Sequence, residues 1–292
     1  MFRGSQLGSL FRCIRWGDVI ILEGVPILGV LFARGSIAMA QLVIVPFFAF
    51  ACFLLLAHVF TLNDWADFTR GVHHSNLAML QLESRNVRPR QLFIFSLLIL
   101  AVSGVIFLFL SERSLLFAIA VAALGIFYSH PSLNAKSMPV ISTVLHFVGG
   151  TLHFLLGYGL FSPIDRRGVM IGLFFGLTFA AGHPVQEARD MMQDRQAGAT
   201  TNAMVFGQLP SFFASLILFT MQYVYLFWLA WSGLVPLFLA PCSLVAYPIH
   251  IWWAMKTLRR GLTAESITQF ETRYRVLYAI IGLLMLLSIF GG

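Results

Sequence analysis

Apolar residues in this chain come in long runs separated by short polar segments, without the helical spacing of a soluble amphipathic protein. Runs near 18–35, 39–61, 91–110, 113–130, 140–160, 168–184, 209–230, 234–254 and 274–291 each approach the roughly 20 apolar residues that a helix needs to cross a hydrocarbon core. Nine transmembrane helices are expected, the fourth, sixth and ninth somewhat short. Almost no polar face interrupts these runs, so the helices of a soluble domain would have nothing to present to water. The runs are also too long and too seldom alternating for a membrane barrel. In lipid the backbone must satisfy its own hydrogen bonds, which a helix does internally. The expected fold is an all-α polytopic membrane bundle of about nine helices, a single domain over 1–292. Because many runs follow the first, that run reads as a retained helix.

Composition agrees, with 59% hydrophobic and 11% charged residues against about 25% charged in soluble domains. The formal net charge of +7 lies mostly in the connections. Membrane lipids are therefore the expected partner of that charge, and no nucleic acid is expected. With a cytoplasmic amino terminus, only Arg34, Arg113, Arg166 and Arg167 fall outside, which leaves 15 of the 19 Lys and Arg residues inside. The positive-inside rule then predicts an integral membrane protein with its carboxyl terminus outside. Cys13, Cys52 and Cys242 have no close pairing and read as small apolar side chains.

This orientation places two long connections, 62–90 and 185–208, at the cytoplasmic face, and both carry acidic motifs. In Asn63-Asp64-Trp65-Ala66-Asp67 the carboxylates are three apart and adjoin on one helical face. In Gln186-Glu187-Ala188-Arg189-Asp190-Met191-Met192-Gln193-Asp194-Arg195 the aspartates are four apart, with Gln186 one turn earlier. Carboxylates are hard oxygen ligands that suit Mg²⁺, an ion that keeps waters and bridges to phosphate. Two such pairs at one membrane face predict a bipartite site for Mg²⁺ and a diphosphate.

His58, His73, His74 and His183 lie near these motifs, but their spacing matches no compact zinc site. A third segment, Tyr128-Ser129-His130-Pro131-Ser132-Leu133-Asn134-Ala135-Lys136, leaves the fourth span at the same face. Lys136 is the only lysine between Met1 and Ala254. It reads either as a partner for a departing diphosphate or as an interfacial anchor. Glu23 in the first span, and His146 and His153 seven apart on one face of the fifth, are costly groups in lipid. Interhelical hydrogen bonds are expected for the histidines, and either a cavity or a structural partner for Glu23.

In this order the segments resemble the intramembrane aromatic prenyltransferase superfamily related to 4-hydroxybenzoate polyprenyltransferase. The resemblance covers most of the chain and includes the continuation Asp194-Arg195-Gln196-Ala197-Gly198-Ala199-Thr200. Gly71 stands where many members have a further Asp, and Gln186 where Asp or Asn is frequent. Gly71 and Arg189-Asp190 resemble the dihydroxynaphthoate branch, whereas the Tyr128 to Lys136 segment is closer to homogentisate or chlorophyll-type enzymes.

The resemblance implies Mg²⁺ held by Asp64, Asp67, Asp190 and Asp194, which with Lys136 form the catalytic set. It implies substrate binding by Asn63, Arg70, Tyr128, Lys136, Gln186, Arg189 and Arg195, among which Lys136, Arg189 and Arg195 match the phosphate oxygens. The donor would be an isoprenyl or polyprenyl diphosphate, and the acceptor an electron-rich, aromatic molecule in quinone or related lipid biosynthesis. Two alternatives are a terpene cyclase with the same ionising apparatus and a transporter or channel lined by acidic rims.

Overall fold

The computed structural model describes residues 4–34, 43–70, 87–196 and 198–290, and the regular structure among them is entirely helical. Gly71, His73 and His74 lie outside the described residues. In chain order the helices are α1 (Gly4–Phe11), α2 (Trp16–Leu22), α3 (Gly24–Arg34), α4 (Ile44–Thr69), α5 (Pro89–Leu110) and α6 (Glu112–Ser129). After a 3₁₀ turn at Ala135–Ser137 come α7 (Ile141–Tyr158), α8 (Arg166–Gln196), α9 (Asn202–Phe206), α10 (Gln208–Trp231), α11 (Leu239–Arg259) and α12 (Ala264–Phe290).

Among the described residues, seven helical stretches are long and apolar enough to cross a membrane, namely Trp16–Ala33, which joins α2 to α3, and α4, α5, α6, α7, α8 and α10. The expected membrane bundle is therefore present. The eighth and ninth expected spans are helical as α11 and α12 but are not among the seven. Pro248, His250 and Lys256 dilute the apolar stretch of α11, and Glu265, Glu271, Arg273 and Arg275 occupy the first half of α12.

Two expected boundaries move for a reason that matters to the site. The sixth span, expected to end at 184, continues as α8 to Gln196, and α4 continues to Thr69. Both acidic motifs thus stand on the last turns of membrane helices, and the supposed loops 62–90 and 185–208 begin as helix. Hydropathy marks only where lipid ends, whereas a helix ends where its backbone bonding is interrupted.

The helices form a ring in which α4 packs on α5 and α6, α6 on α7, α7 on α8, α8 on α10, and α10 on α11, with α12 closing against α3. Close crossings rest on glycines. A Cβ on Gly157 would lie 1.8 Å from the Pro26 carbonyl oxygen, and one on Gly29 would lie 2.3 Å from that of Phe154, so α3 and α7 touch backbone to backbone. Hydroxyls join other helices: Ser103 donates to the Ala51 carbonyl at 2.8 Å and Ser114 to that of Leu156 at 2.9 Å. Asp165 caps α8 by accepting the Gly168 N–H at 2.7 Å.

The path from the 3₁₀ turn into α7 is strained. Val140 has φ 66° and ψ −49°, and the Ile141 N–H reaches the Pro139 carbonyl at 2.7 Å, closing a three-residue γ-turn that β-branched residues disfavour. Asn202 of α9 holds this turn, its Oδ1 accepting the Val140 N–H at 2.6 Å.

Candidate active site

α4 and α8 face one another across a polar cavity of about 450 Å³. Helical geometry selects what each wall presents. Asn63 and Asp67 of α4 and Arg70, which caps it, recur at spacings of four and three, so they form one stripe facing the cavity. His183, Gln186, Glu187, Asp190, Gln193 and Asp194 form the matching stripe of α8. Tyr128 at the end of α6, with Asn134 and Lys136 of the segment that follows, closes the space.

Charge is arranged in pairs. Asp67 accepts from Arg70 Nη2 at 2.8 Å and is also bonded by Lys136 Nζ. Arg70 in turn donates to Asn134 Oδ1, and Asn134 sits in the left-handed region at φ 46°, a conformation that asparagine tolerates. Lys136 Nζ lies 3.5 Å from Asn63 Oδ1, which also accepts from Ser129 Oγ at 3.3 Å. Burial, opposed by Asp67 and assisted by Arg70, holds the Lys136 amine below its usual pKa. On the other wall, Asp194 accepts from Thr201 Oγ1 at 3.3 Å, and Asp190 is held by Arg189 at 2.7 Å.

Of the residues singled out from sequence, Asn63, Asp67, Arg70, Tyr128, Lys136, Gln186, Asp190 and Asp194 line this one cavity. Three do not. Asp64 is 3% exposed and bonded to Arg15, because its position next to Asn63 turns it about 100° away from the cavity-facing stripe. Arg189 lies between Asp190 and Glu271 and bonds both, so its guanidinium is already matched by carboxylates. Arg195 is exposed beyond the cavity lining.

The groups outside the motifs are also placed. His153 Nε2 lies 3.3 Å from the Leu22 carbonyl, an interhelical bond of the expected kind. His146 bonds the Ser142 carbonyl of its own helix and stacks on His183. Glu23, at the junction of α2 and α3, has no hydrogen-bond partner for either carboxyl oxygen among the described residues. The cysteines form no disulfide.

Sequence reasoning missed four groups. Arg15, immediately before the first span, had only the signal of a positive-inside residue, yet it reaches α4 and lines the cavity. Glu187 lies inside the second motif, buried and bonded by Asn202. Glu271 of α12 joins Gln186, Arg189 and Arg275. Arg15, Asn202 and Glu271 are distant in sequence from what they touch, and nothing local announces them.

Carboxylates and cations gathered at one end of a helical ring with lipid-spanning walls define an integral membrane protein whose site suits a multivalent anion. The profile of the UbiA prenyltransferase family matches residues 25–288, and the chain belongs to that family.

Solved structures share the fold. A UbiA homolog from Archaeoglobus fulgidus bound to DMAPP and Mg²⁺ superposes with a TM-score of 0.75 at 18% identity, covering 97% of this chain and 100% of that one. The Archaeoglobus fulgidus homolog bound to GPP and Mg²⁺ gives 0.72 at 18% identity, covering 97% and 98%. A digeranylgeranylglyceryl phosphate synthase gives 0.71 at 16% identity, again covering 97% and 98%. Among curated proteins, none matches the chain in sequence.

Proposed function

We propose that this protein transfers an isoprenyl or polyprenyl group, with Mg²⁺, from its diphosphate to an electron-rich aromatic acceptor at the cytoplasmic rim of the membrane. The observation that carries this reading is the convergence of Asp67 from α4, Asp190 and Asp194 from α8, and Lys136 on one cavity. Support comes also from the similar Archaeoglobus fulgidus fold, which was solved with prenyl diphosphates and Mg²⁺.

The donor set fits magnesium. Among the described residues no three His, Cys, Asp or Glu side chains form a ready-made metal cage. Magnesium rarely uses one, since it binds through one or two carboxylates together with waters and substrate phosphate. Asp67 on one wall and Asp190 with Asp194 on the other provide such ligands, while Asn63 and Gln186 orient waters or phosphate oxygens. Asp64 joins them if Arg15 exchanges its carboxylate for phosphate. When bound, Mg²⁺ supplies Lewis acidity to the diphosphate as the allylic carbon–oxygen bond breaks.

Lys136, Arg70 and Arg15 supply the complementary positive charge. Each of the three bonds a carboxylate, and each lines the space a diphosphate would fill. Their catalytic value lies in the charge that accumulates on the leaving group, since equal binding of the ground state would not speed ionisation. The prenyl tail extends between apolar helices, where each buried methylene contributes roughly 0.8 kcal/mol. A sheltered site also keeps water from capturing the allylic cation.

The test is purified protein in lipid nanodiscs with geranyl diphosphate and, in turn, hydroquinone, catechol or a dihydroxynaphthoate as acceptor. Diphosphate release should require Mg²⁺, cease with EDTA, and fall by about 10² or more in Asp67→Asn and Asp190→Asn. Undiminished release in both variants rejects the assignment. A cyclised hydrocarbon formed without acceptor would replace transfer by cyclisation.

A further inference from the structure

The charged rim accounts for only part of the cavity. Deeper along α8 the lining changes from aspartates to Tyr128 and His183, against which His146 of α7 packs. The imidazoles of His146 on α7 and His183 on α8 stack with centroids 3.8 Å apart and planes 15° apart. Tyr128 of α6 stands edge-on to both, 5.2 Å from His146 and 6.4 Å from His183. Tyr128 and His183 line the cavity, as does Glu187, one turn after His183.

Glu187 is built in as a hydrogen-bond acceptor. Its Oε2 accepts the Asn202 backbone N–H at 3.1 Å and the Asn202 side-chain Nδ2 at 2.8 Å, and its Oε1 accepts from Ser142 Oγ at 3.4 Å. The same Asn202 holds the strained turn at Val140, so α7, α8 and α9 together fix this carboxylate. Its Oε1 lies 3.0 Å from His183 Nε2. That nitrogen is enclosed and not aligned for a hydrogen bond, a contact that acid–base sites commonly complete only with substrate in place.

The two stacked imidazoles are not equivalent. His146 Nδ1 is 2.8 Å from the Ser142 carbonyl, which can only accept, so in that bond Nδ1 carries the proton. His183 is the ring that faces a carboxylate.

We propose that Tyr128, His183 and Glu187, with His146 stacked on His183, form the acceptor subsite, which takes a hydroxylated aromatic ring, and that His183, oriented by Glu187, accepts the proton displaced from the ring carbon. This rests on the prenyl-transfer reading above and specifies its second half. The ring carbon forms the new carbon–carbon bond with a π-electron pair, while the allylic carbon–oxygen bond breaks and its pair leaves with the diphosphate. The ring C–H pair then returns to the aromatic system and its proton passes to His183. Glu187 is a positioning residue that balances the resulting imidazolium.

The experiment separates the two halves. Wild type, His183→Gln and Glu187→Gln in nanodiscs are given geranyl diphosphate, Mg²⁺ and, in turn, hydroquinone, catechol or a dihydroxynaphthoate. Prenylated product and Mg²⁺-dependent binding of geranyl diphosphate are both measured. In His183→Gln prenylation should fall about 100-fold or more in kcat, while geranyl diphosphate is still bound in a Mg²⁺-dependent manner. Ring-deuterated hydroquinone should show a larger isotope effect in the variant than in wild type, because proton loss becomes slow. Glu187→Gln should reproduce the loss in part, and intact magnesium-dependent binding of geranyl diphosphate shows that each variant is folded.

Loss of donor binding together with prenylation, or unchanged prenylation, overturns the assignment. Magnesium-dependent donor binding by wild type without prenylation of any of the three probes removes the aromatic subsite but leaves the donor site standing. No magnesium-dependent binding of geranyl diphosphate by wild type rejects the donor reading itself, and the subsite with it.

Discussion

Replacing Lys136 with glutamine removes one positive charge from the cavity while keeping a polar side chain of similar reach. In the structure Lys136 bonds Asp67, which retains Arg70 at 2.8 Å, so the substitution does not strand a buried carboxylate. The expected stability loss is that of one charge-assisted hydrogen bond, about 1.5–3 kcal/mol and toward the lower end because a partner remains. The catalytic loss is larger. A unit charge about 4 Å from a phosphate oxygen is worth roughly 4 kcal/mol at an effective dielectric constant near 20. The share realised as the leaving group gains charge is about 2.7–4 kcal/mol, or 10²–10³ in kcat. Donor consumption under saturating geranyl diphosphate, Mg²⁺ and an aromatic acceptor measures this, with thermal unfolding in the same nanodiscs as the control. A folded variant with kcat within about threefold of wild type would refute the leaving-group role and leave Lys136 an interfacial anchor.

Other perturbations test separate parts of the structure. Arg15→Gln leaves Asp64, only 3% exposed, without its ionic partner; a loss of about 3 kcal/mol is expected on thermal or denaturant unfolding, and unchanged stability would show the pair to be incidental. Gly157→Ala places a methyl 1.8 Å from the Pro26 carbonyl oxygen, so α3 and α7 must separate. An overpacking cost of at least about 1–3 kcal/mol should appear as a lower unfolding temperature. Val140→Gly relieves a positive φ at a side chain that is 56% exposed. After the entropic penalty of glycine, a net gain of about 1 kcal/mol is expected, and a lower unfolding temperature would contradict the strain argument.

Much of the fold was legible because lipid imposes a simple rule on sequence. Apolar runs locate the helices in the chain, and the order of Asn63 to Asp67, Lys136 and Gln186 to Asp194 suggested one site at one membrane face. The same rule misplaced the ends of α4 and α8, since a helix that leaves lipid can keep its backbone bonds in water. Asp64 and Asp67 looked equivalent at a spacing of three, yet only the stripe of Asn63, Asp67 and Arg70 lines the cavity. Which face turns inward depends on the neighbouring helices, and no local spacing contains that information.

By itself, then, the sequence determined that this chain is a membrane-embedded helical protein with two acidic helix ends and a lone lysine between them. The tertiary structure decided which of those groups share a cavity and which are neutralised by distant partners. It brought Arg15 to Asp64, Glu271 to Arg189 and Asn202 to Glu187. It also stacked His146 on His183 beside Tyr128, a wall assembled from three separate helices. Hydropathy is a property of each segment alone, whereas charge pairing and stacking fall off within a few ångströms and exist only once helices far apart in the chain are packed side by side.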